Sequence, residues 1–311
     1  MPRLQINHSL LSSKIKAFLR LDAGVGKEAP PEPGEQIKAL WRRANKAEAE
    51  RDKARRDVHK QARRAEKLEA ELSEANRIKH QINQMRHSLL MEAFERYGPW
   101  VSGVKIDNKL YGRSSRQGNP RLAEFFNALP EASKARVLET GSLEGALTLE
   151  LAKRAREVVG LEARPASVER AEFLKRLFNA RNISFHITNL EKDDLSSYGQ
   201  FDAIFCCGLL YHLPHPRALV QKMASLSPNL YLDTHFARED WQLTERDGLT
   251  GWVRQEGGWH QPQSGVSEDA FWPTLRELYR LLCESGYTSL QQLSIHMNNR
   301  NGPRVHILAT R

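Results

Sequence analysis

The sequence predicts an α/β fold: a mostly parallel seven-stranded sheet finished by a C-terminal antiparallel hairpin and preceded by a long helical, coiled-coil-like region. Three observations predict it. From Arg136 onward short apolar runs alternate with helical patterns, as βαβ units require. The first run opens through a glycine-containing turn into a helix, and the second ends on a carboxylate. Upstream, residues 35–94 contain neither proline nor glycine and carry an apolar heptad.

At the N-terminus, Pro30, Pro31, Pro33 and Gly34 separate a leading segment, residues 1–34, from a helical region, residues 35–97. Met1–Leu21 shows no apolar core or small-residue cleavage site of a secretory signal. With a at Ile37 and d at Leu40, five of eight a positions are apolar (Ile37, Ala44, Val58, Ala65, Leu72). So are seven of eight d positions (Leu40, Ala47, Ala54, Leu68, Ala75, Ile82, Leu89). That spacing marks a coiled coil, thin because so much of it is alanine. A dimer of long helices and an intramolecular hairpin use the same pattern. Lys38–Lys67 holds twelve Lys or Arg against five acids, an excess that suits a solvated spacer or dimerising helix, or a helix lying on phosphates or a membrane surface. Gly98-Pro99 ends the helical region.

Composition narrows the class. Of 311 residues, 40% are hydrophobic and 27% charged, with a net charge of +9. No run reaches the roughly 20 apolar residues of a membrane span. Cys206, Cys207 and Cys283 form no CxxC pair, so neither a disulfide framework nor a zinc cluster is expected. A reducing, cytoplasmic setting follows. Cys206 and Cys207, adjacent in a strand, should point to opposite sheet faces. The positive charge suits an anionic partner, nucleic acid included, or simply a solvated helix face.

The remaining chain, residues 98–311, reads as the catalytic domain. Its predicted strands are Val137–Glu139, Val158–Glu162, Ile183–Ile187, Phe201–Cys207, Leu230–Thr234, Ser289–Ile295 and Val305–Ala309. Helical patterns fall at Gly145–Arg156, Pro165–Ala180, Pro216–Leu226 and about Trp272 to Glu284. The turn-rich 298–303 segment joins the last two strands as a hairpin. Between Ala237 and Phe271 the pattern is irregular and rich in tryptophan, and it reads as a lid-like insertion.

In Val137-Leu138-Glu139-Thr140-Gly141-Ser142-Leu143-Glu144-Gly145, Gly141 permits a tight turn and Gly145 a close approach of the helix to the strand. Glu162, roughly twenty residues on, can accept both hydroxyl protons of a ribose. On these residues the chain resembles class I S-adenosylmethionine-dependent methyltransferases, with a Rossmann-like sheet, over about Gly98 to Arg311. The terminal hairpin fits that family's strand order better than a dehydrogenase's. The resemblance implies a cofactor site for S-adenosyl-L-methionine built from Glu139, Gly141, Ser142 and Gly145, then Glu162 and Ala163, Asn189 and Leu190, and Gly208 and Leu209. The family pattern has glycine where Leu143 stands and more usually aspartate at Asn189. Gly208-Leu209-Leu210-Tyr211-His212-Leu213-Pro214-His215-Pro216 is similar to a segment of a bacterial subset. It also resembles the tRNA wobble-uridine carboxymethyltransferases, which use a carboxylated cofactor.

Transfer to a hydroxyl needs a base. His212, after the fourth parallel strand, and His235, closing the fifth, are the candidates, and Tyr211 is a candidate for contact with cofactor or acceptor. Each is also readable as structural. Asp233 and His235 offer two metal ligands, too few for a metal site. Arg113 and Arg116 are candidates for an anionic group, and Trp241, Trp252 and Trp259 for stacking on a sugar or base, or for anchoring the insertion. The expected activity is O-methylation of a small-molecule or glycan acceptor, a carbohydrate or related polar metabolite, with surface-polysaccharide synthesis as one setting. The alternatives are a tRNA-modifying enzyme and a non-catalytic coiled-coil scaffold with a degenerate domain.

Overall fold

The computed structural model describes residues 33–311, so the reading of Met1–Leu21 and the breakers Pro30 and Pro31 lie outside the described residues. One helix, α1, runs Pro33–Tyr97. The heptad therefore belongs to a single helix and not to a hairpin. Two compact units divide inside it, between Asn83 and Gln84, earlier than the 97/98 boundary read from the sequence. The physical reason is the apolar content of the last turns. Leu90, Phe94 and Tyr97 pack into a cluster with Trp100, Tyr111 and Phe173. In the first unit the heptad residues Ile37, Leu40, Val58, Leu68, Leu72 and Ile82 are all exposed.

The second unit begins with a hairpin, β1 (Gly103–Ile106) and β2 (Lys109–Gly112), and a helix, α2 (Pro120–Ala128), neither of which the sequence pattern revealed. The parallel strands follow: β3 (Arg136–Thr140), β4 (Glu157–Glu162), β5 (Ile183–Ile187), β6 (Ala203–Cys207) and β7 (Asn229–His235). They alternate with α3 (Ala146–Ala152), α4 (Pro165–Leu177) and α5 (Pro216–Leu226). Proline at the first turn of α4 and α5 starts each helix with φ already set.

The insertion is not irregular, as its sequence suggested. It forms a three-stranded antiparallel sheet of β8 (Thr244–Arg246), β9 (Leu249–Gln255) and β10 (Asp269–Pro273). Trp272 consequently lies in a strand, and α6 starts at Leu275 with Thr274 as its cap, running to Glu284. The chain ends on β11 (Ser289–His296) and β12 (Arg304–Thr310).

The seven-stranded order is β11-β12-β7-β6-β3-β4-β5, with β12 antiparallel to β7 and β11 antiparallel to β12. Strand order reverses at β3, between β6 and β4, which places a crevice at the carboxyl ends of those strands. One sheet face packs on α5 and α6 through Val220, Met223, Leu278 and Leu282. The other packs on α2 and α3 through Phe125 and Leu151, and on α4 through Ala171. Cys206 joins the first cluster and Cys207 borders the second, on opposite faces as their adjacency requires.

Gly145 shows why the first turn needs glycine. Its φ is +76°, and a Cβ there would lie 2.7 Å from Phe185 Cζ and 2.9 Å from Ala171 Cβ. Gly145→Ala should therefore cost about 1–3 kcal/mol through overpacking. Thermal unfolding of the two proteins measures it, and an unchanged melting temperature would contradict the packing.

Candidate active site

The turn after β3 is wired to the end of β4. Gly141 and Ser142 donate their N–H groups to Leu161 O at 2.9 and 3.0 Å. Leu143 sits in the left-handed region at φ 48° and donates its N–H to Glu162 Oε2 at 3.1 Å. Glu162 Oε1 accepts from Arg164 N at 2.9 Å. Glu139, at the end of β3, is buried and accepts from Thr148 at 2.5 Å. Burial, with some help from the Glu162 charge, pushes its carboxyl up to about 8, so at neutral pH it is mostly protonated. Burial also raises Glu162, against the pull of Arg164 and Leu143. Glu144, which the sequence reading did not single out, accepts from Val101 N, Ser102 N and Ser102 Oγ at 2.6–3.1 Å, tying the segment before β1 to this turn.

These residues line a cavity of about 290 Å³, the lower end of the usual ligand-pocket range. It holds Glu139, Gly141, Ser142, Glu162, Ala163, Asn189, Leu190, Gly208 and Leu209, nine of the ten residues expected to hold a cofactor. The tenth, Gly145, works behind the wall as a packing residue. Asn189 Oδ1 accepts from Glu191 N at 3.1 Å, turning the chain at the end of β5. Ser142 Oγ is buried without a hydrogen-bond partner in the described chain.

The insertion reaches this cavity through residues 262–266. What holds it is Arg164, directly after the Glu162–Ala163 pair. Its guanidinium donates to the carbonyls of Gly258, Trp259, Gln261, Ser264 and Gly265 at 3.0–3.1 Å. From the same insertion, Glu256 accepts from Ser264 Oγ at 2.5 Å and from Gly265 N at 3.2 Å, and meets His212 Nδ1 at 3.0 Å. Burial pushes Glu256 up, but the His212 contact and these donors outweigh it and hold the carboxyl below its ordinary value. An ionised Glu256 only accepts, so in this contact His212 donates from Nδ1.

His212 and Tyr211 line the cavity, as does Arg116; His235 and Arg113 do not. His235 is committed elsewhere. Its Nδ1 faces Gly302 O and Pro303 O at 3.1 and 2.9 Å, Arg304 Nη1 approaches its Nε2 at 3.2 Å, and its ring stacks on Trp272 at 4.8 Å. Burial and the Arg304 charge lower its pKa. The tryptophans are likewise placed away from the cavity. Trp241 and Trp252 pack edge-on against each other and close to Trp272, anchoring the insertion on the domain. Trp259 is exposed beside Arg164.

Behind Tyr211 lies an ion cluster that the sequence pattern did not show. Asp233, on β7, is fully buried. Arg304 of β12 donates to both its oxygens through Nε and Nη2, and Arg121 of α2 donates at 2.6 Å. His306 approaches it at 3.3 Å and Glu124 at 2.5 Å. Burial opposes the Asp233 charge, but His306, Arg304 and Arg121 together drive its carboxyl far below the ordinary range. For His306 burial likewise opposes charge, and Asp233 and Glu124 prevail to raise its pKa. With both Asp233 oxygens held by guanidinium groups, the Asp233–His235 pair is no cation site. Among the described residues no group of three or more His, Cys, Asp or Glu could hold a metal, and no helix is long and apolar enough to cross a membrane.

Residues 114–292, more than half of the chain, match a family model described as a methyltransferase domain. The crystal structure of the N-terminal domain of EvdMO1, determined in the presence of SAH and D-fucose, is 30% identical with a TM-score of 0.64. That match covers 73% of this chain and 96% of the other. Full EvdMO1 matches at 26% identity and a TM-score of 0.57, over 72% of this chain and 47% of its own. A ubiquinone biosynthesis O-methyltransferase of Xanthomonas axonopodis pv. citri (strain 306) is 31% identical over 108 residues, 35% of this chain. The match spans 45% of that relative, less than half its length.

The Glu139 shift has a signed consequence. Between the ordinary value of 4.5 and about 8 the folded chain holds a proton that the unfolded chain has lost. Stability from this group is therefore largest at low pH and falls as pH rises through that window. Glu139→Gln, which cannot ionise, should show a flatter profile. Urea midpoints at about pH 5 and about pH 8 measure it, and parallel profiles would refute the shift.

Proposed function

The chain belongs to the methyltransferase-domain family and is an S-adenosylmethionine-dependent methyltransferase; on that premise we propose that it O-methylates a hydroxyl of a carbohydrate or related polar metabolite, with His212 as general base. The cofactor supplies a methyl group on a sulfonium for in-line displacement. The cavity suits such a ligand. Ser142 Oγ is an orphan that a polar group would satisfy. Glu162 spends one acceptor site on Leu143 and one on Arg164, leaving sites on both oxygens for a ribose diol. We assign the adenine end to Asn189 and Leu190, the sulfur end to Gly208 and Leu209, and the methionine carboxylate to Arg116. Arg116 lines the cavity and makes no ion pair or side-chain hydrogen bond among the described residues.

The observation that carries the reading is the contact of His212, in the cavity wall, with Glu256 behind it. Glu256 holds Nδ1–H and stabilises the imidazolium that forms as Nε2 takes the acceptor's proton. Tyr211, its phenol kept protonated by burial, orients the acceptor. Residues 262–266 and Arg164 exclude water above. The likeness to the EvdMO1 domain supports a sugar acceptor. The free cysteines Cys206, Cys207 and Cys283 fit a cytoplasmic setting.

The exposed seam Ile37–Ile82 is assigned to a second copy of the chain. One uninterrupted helix presents both a and d positions to solvent, and a parallel partner would cover them. Leu68→Lys combined with Leu72→Lys should turn a dimer into a monomer in sedimentation equilibrium; an unchanged mass would reject the seam. Retention of bulk tRNA that falls steeply with salt would instead give the basic stretch to nucleic acid.

His212→Ala should lower turnover by about a hundredfold or more while leaving S-adenosylmethionine binding intact. Methyl transfer to a panel of sugars and sugar nucleotides, with calorimetry for the cofactor, measures both. Unchanged turnover removes His212 from the mechanism, and failure on every hydroxyl acceptor refutes the sugar reading.

A further inference from the structure

We propose that the acceptor is an anion, carrying a carboxylate or phosphate held by Arg121 and Arg304 beside Gly208; the inference rests on the methyl-transfer reading above but not on the acceptor being a sugar. Both guanidinium groups line the cavity, together with Tyr211. They converge on one point. A carbon built on Gly208 Cα would lie 3.6 Å from Arg304 Nη2, 3.6 Å from Tyr211 Oη and 3.9 Å from Arg121 Nη1. Gly208 follows β6, at the end assigned to the sulfonium, so this is where the acceptor must enter.

Neither cation is fully spent. A guanidinium has five N–H donors. Arg121 uses Nε on Asn119 and one Nη1 proton on Asp233, leaving three. Arg304 uses Nε and one Nη2 proton on Asp233 and one Nη1 proton on His235, leaving two, one of them also within the reach of the Tyr211 hydroxyl. Two guanidinium groups face the one carboxylate of Asp233, while Glu124 is engaged by Tyr231 and His306. Asp233 therefore does not neutralise the pair. It fixes the two forks so that their remaining donors are oriented before a ligand arrives, the arrangement in which arginine recognises carboxylate or phosphate.

The test is calorimetric, on the full chain saturated with S-adenosylhomocysteine, so that no turnover is needed. The probes are two pairs: D-glucuronate or glucose 1-phosphate against D-glucose, and 4-hydroxybenzoate against phenol. At least one acid should bind about tenfold or more tightly than its neutral partner. The two sugar acids separate carboxylate from phosphate. Arg121→Gln should abolish the preference and Arg304→Lys should weaken it, whereas Arg113→Gln, outside the cavity, should leave it in place. Thermal unfolding confirms that each variant is folded, and Arg121→Gln spares the direct Arg304–Asp233 fork. Equal binding of acid and neutral partner, no binding of any acid, or a preference that survives Arg121→Gln overturns the proposal. So does a loss of affinity for S-adenosylhomocysteine alone in Arg121→Gln, which would give the guanidinium to the cofactor carboxylate. If only the aromatic acid binds, the sugar reading fails and the anion site stands.

Discussion

Much of the domain's functional end hangs on one buried carboxylate. Asp233 is fully enclosed, and an ion so placed is costly unless donors surround it. Here the donors come from two directions: Arg304 and His306 from the neighbouring antiparallel strand, and Arg121 from the helix before the first parallel strand. The charge thus pins β12 and α2 to the end of β7. Glu124, one turn after Arg121, accepts from Tyr231 at 2.6 Å and meets His306, so the same helix is held twice. A hydrophobic contact could have joined these elements as firmly. It could not have left oriented N–H donors facing a cavity.

A second tie works at the other end of the crevice. Glu162 and Arg164 stand two residues apart, and they do opposite work. The carboxylate turns toward the glycine turn and takes Leu143 N–H. The guanidinium turns outward and gathers carbonyls of the insertion. Because one short segment at the end of β4 holds both, the wall of the cofactor cavity and its cover are mechanically linked. Glu256 completes the link, since it joins the covering loop to the imidazole of His212. Burial of a guanidinium is expensive, and several carbonyl dipoles, with the Glu162 carboxylate 4.0 Å away, spread that cost.

What the sequence made legible was what has a short period or a local signature. All seven strands of the main sheet lie within two residues of their expected bounds, because most are compact apolar runs closed by a turn and β11 alternates apolar with polar residues. Glu162 was visible because it ends a strand at the right distance from a glycine turn. The insertion was not, since β8 is three residues long and β9 mixes Gly251 and Arg254 with its apolar positions. The tryptophans read as a stacking surface, yet an indole in this loop finds its best burial against other indoles. The Asp233 cluster was illegible for a different reason. Its members stand up to 185 positions apart, from Arg121 to His306, and only strand register brings Asp233 opposite His306. Charge pairing of that kind has no period to read.

Leu143 shows how one departure from a family pattern can be absorbed. A leucine at φ 48° costs roughly 1–2 kcal/mol that glycine would not. The turn nevertheless keeps the conformation glycine would adopt, because Leu143 N–H has a buried carboxylate to bind and Glu144 next to it is anchored by three donors on Val101 and Ser102. Of the residues making those bonds, Glu162, Glu144 and Ser102 also line the cavity. A degenerate site would be expected to lose those partners first. Here Glu139, Glu162 and the unpartnered Ser142 hydroxyl all remain in place, which argues for a working cofactor cavity and against a domain kept only as a scaffold.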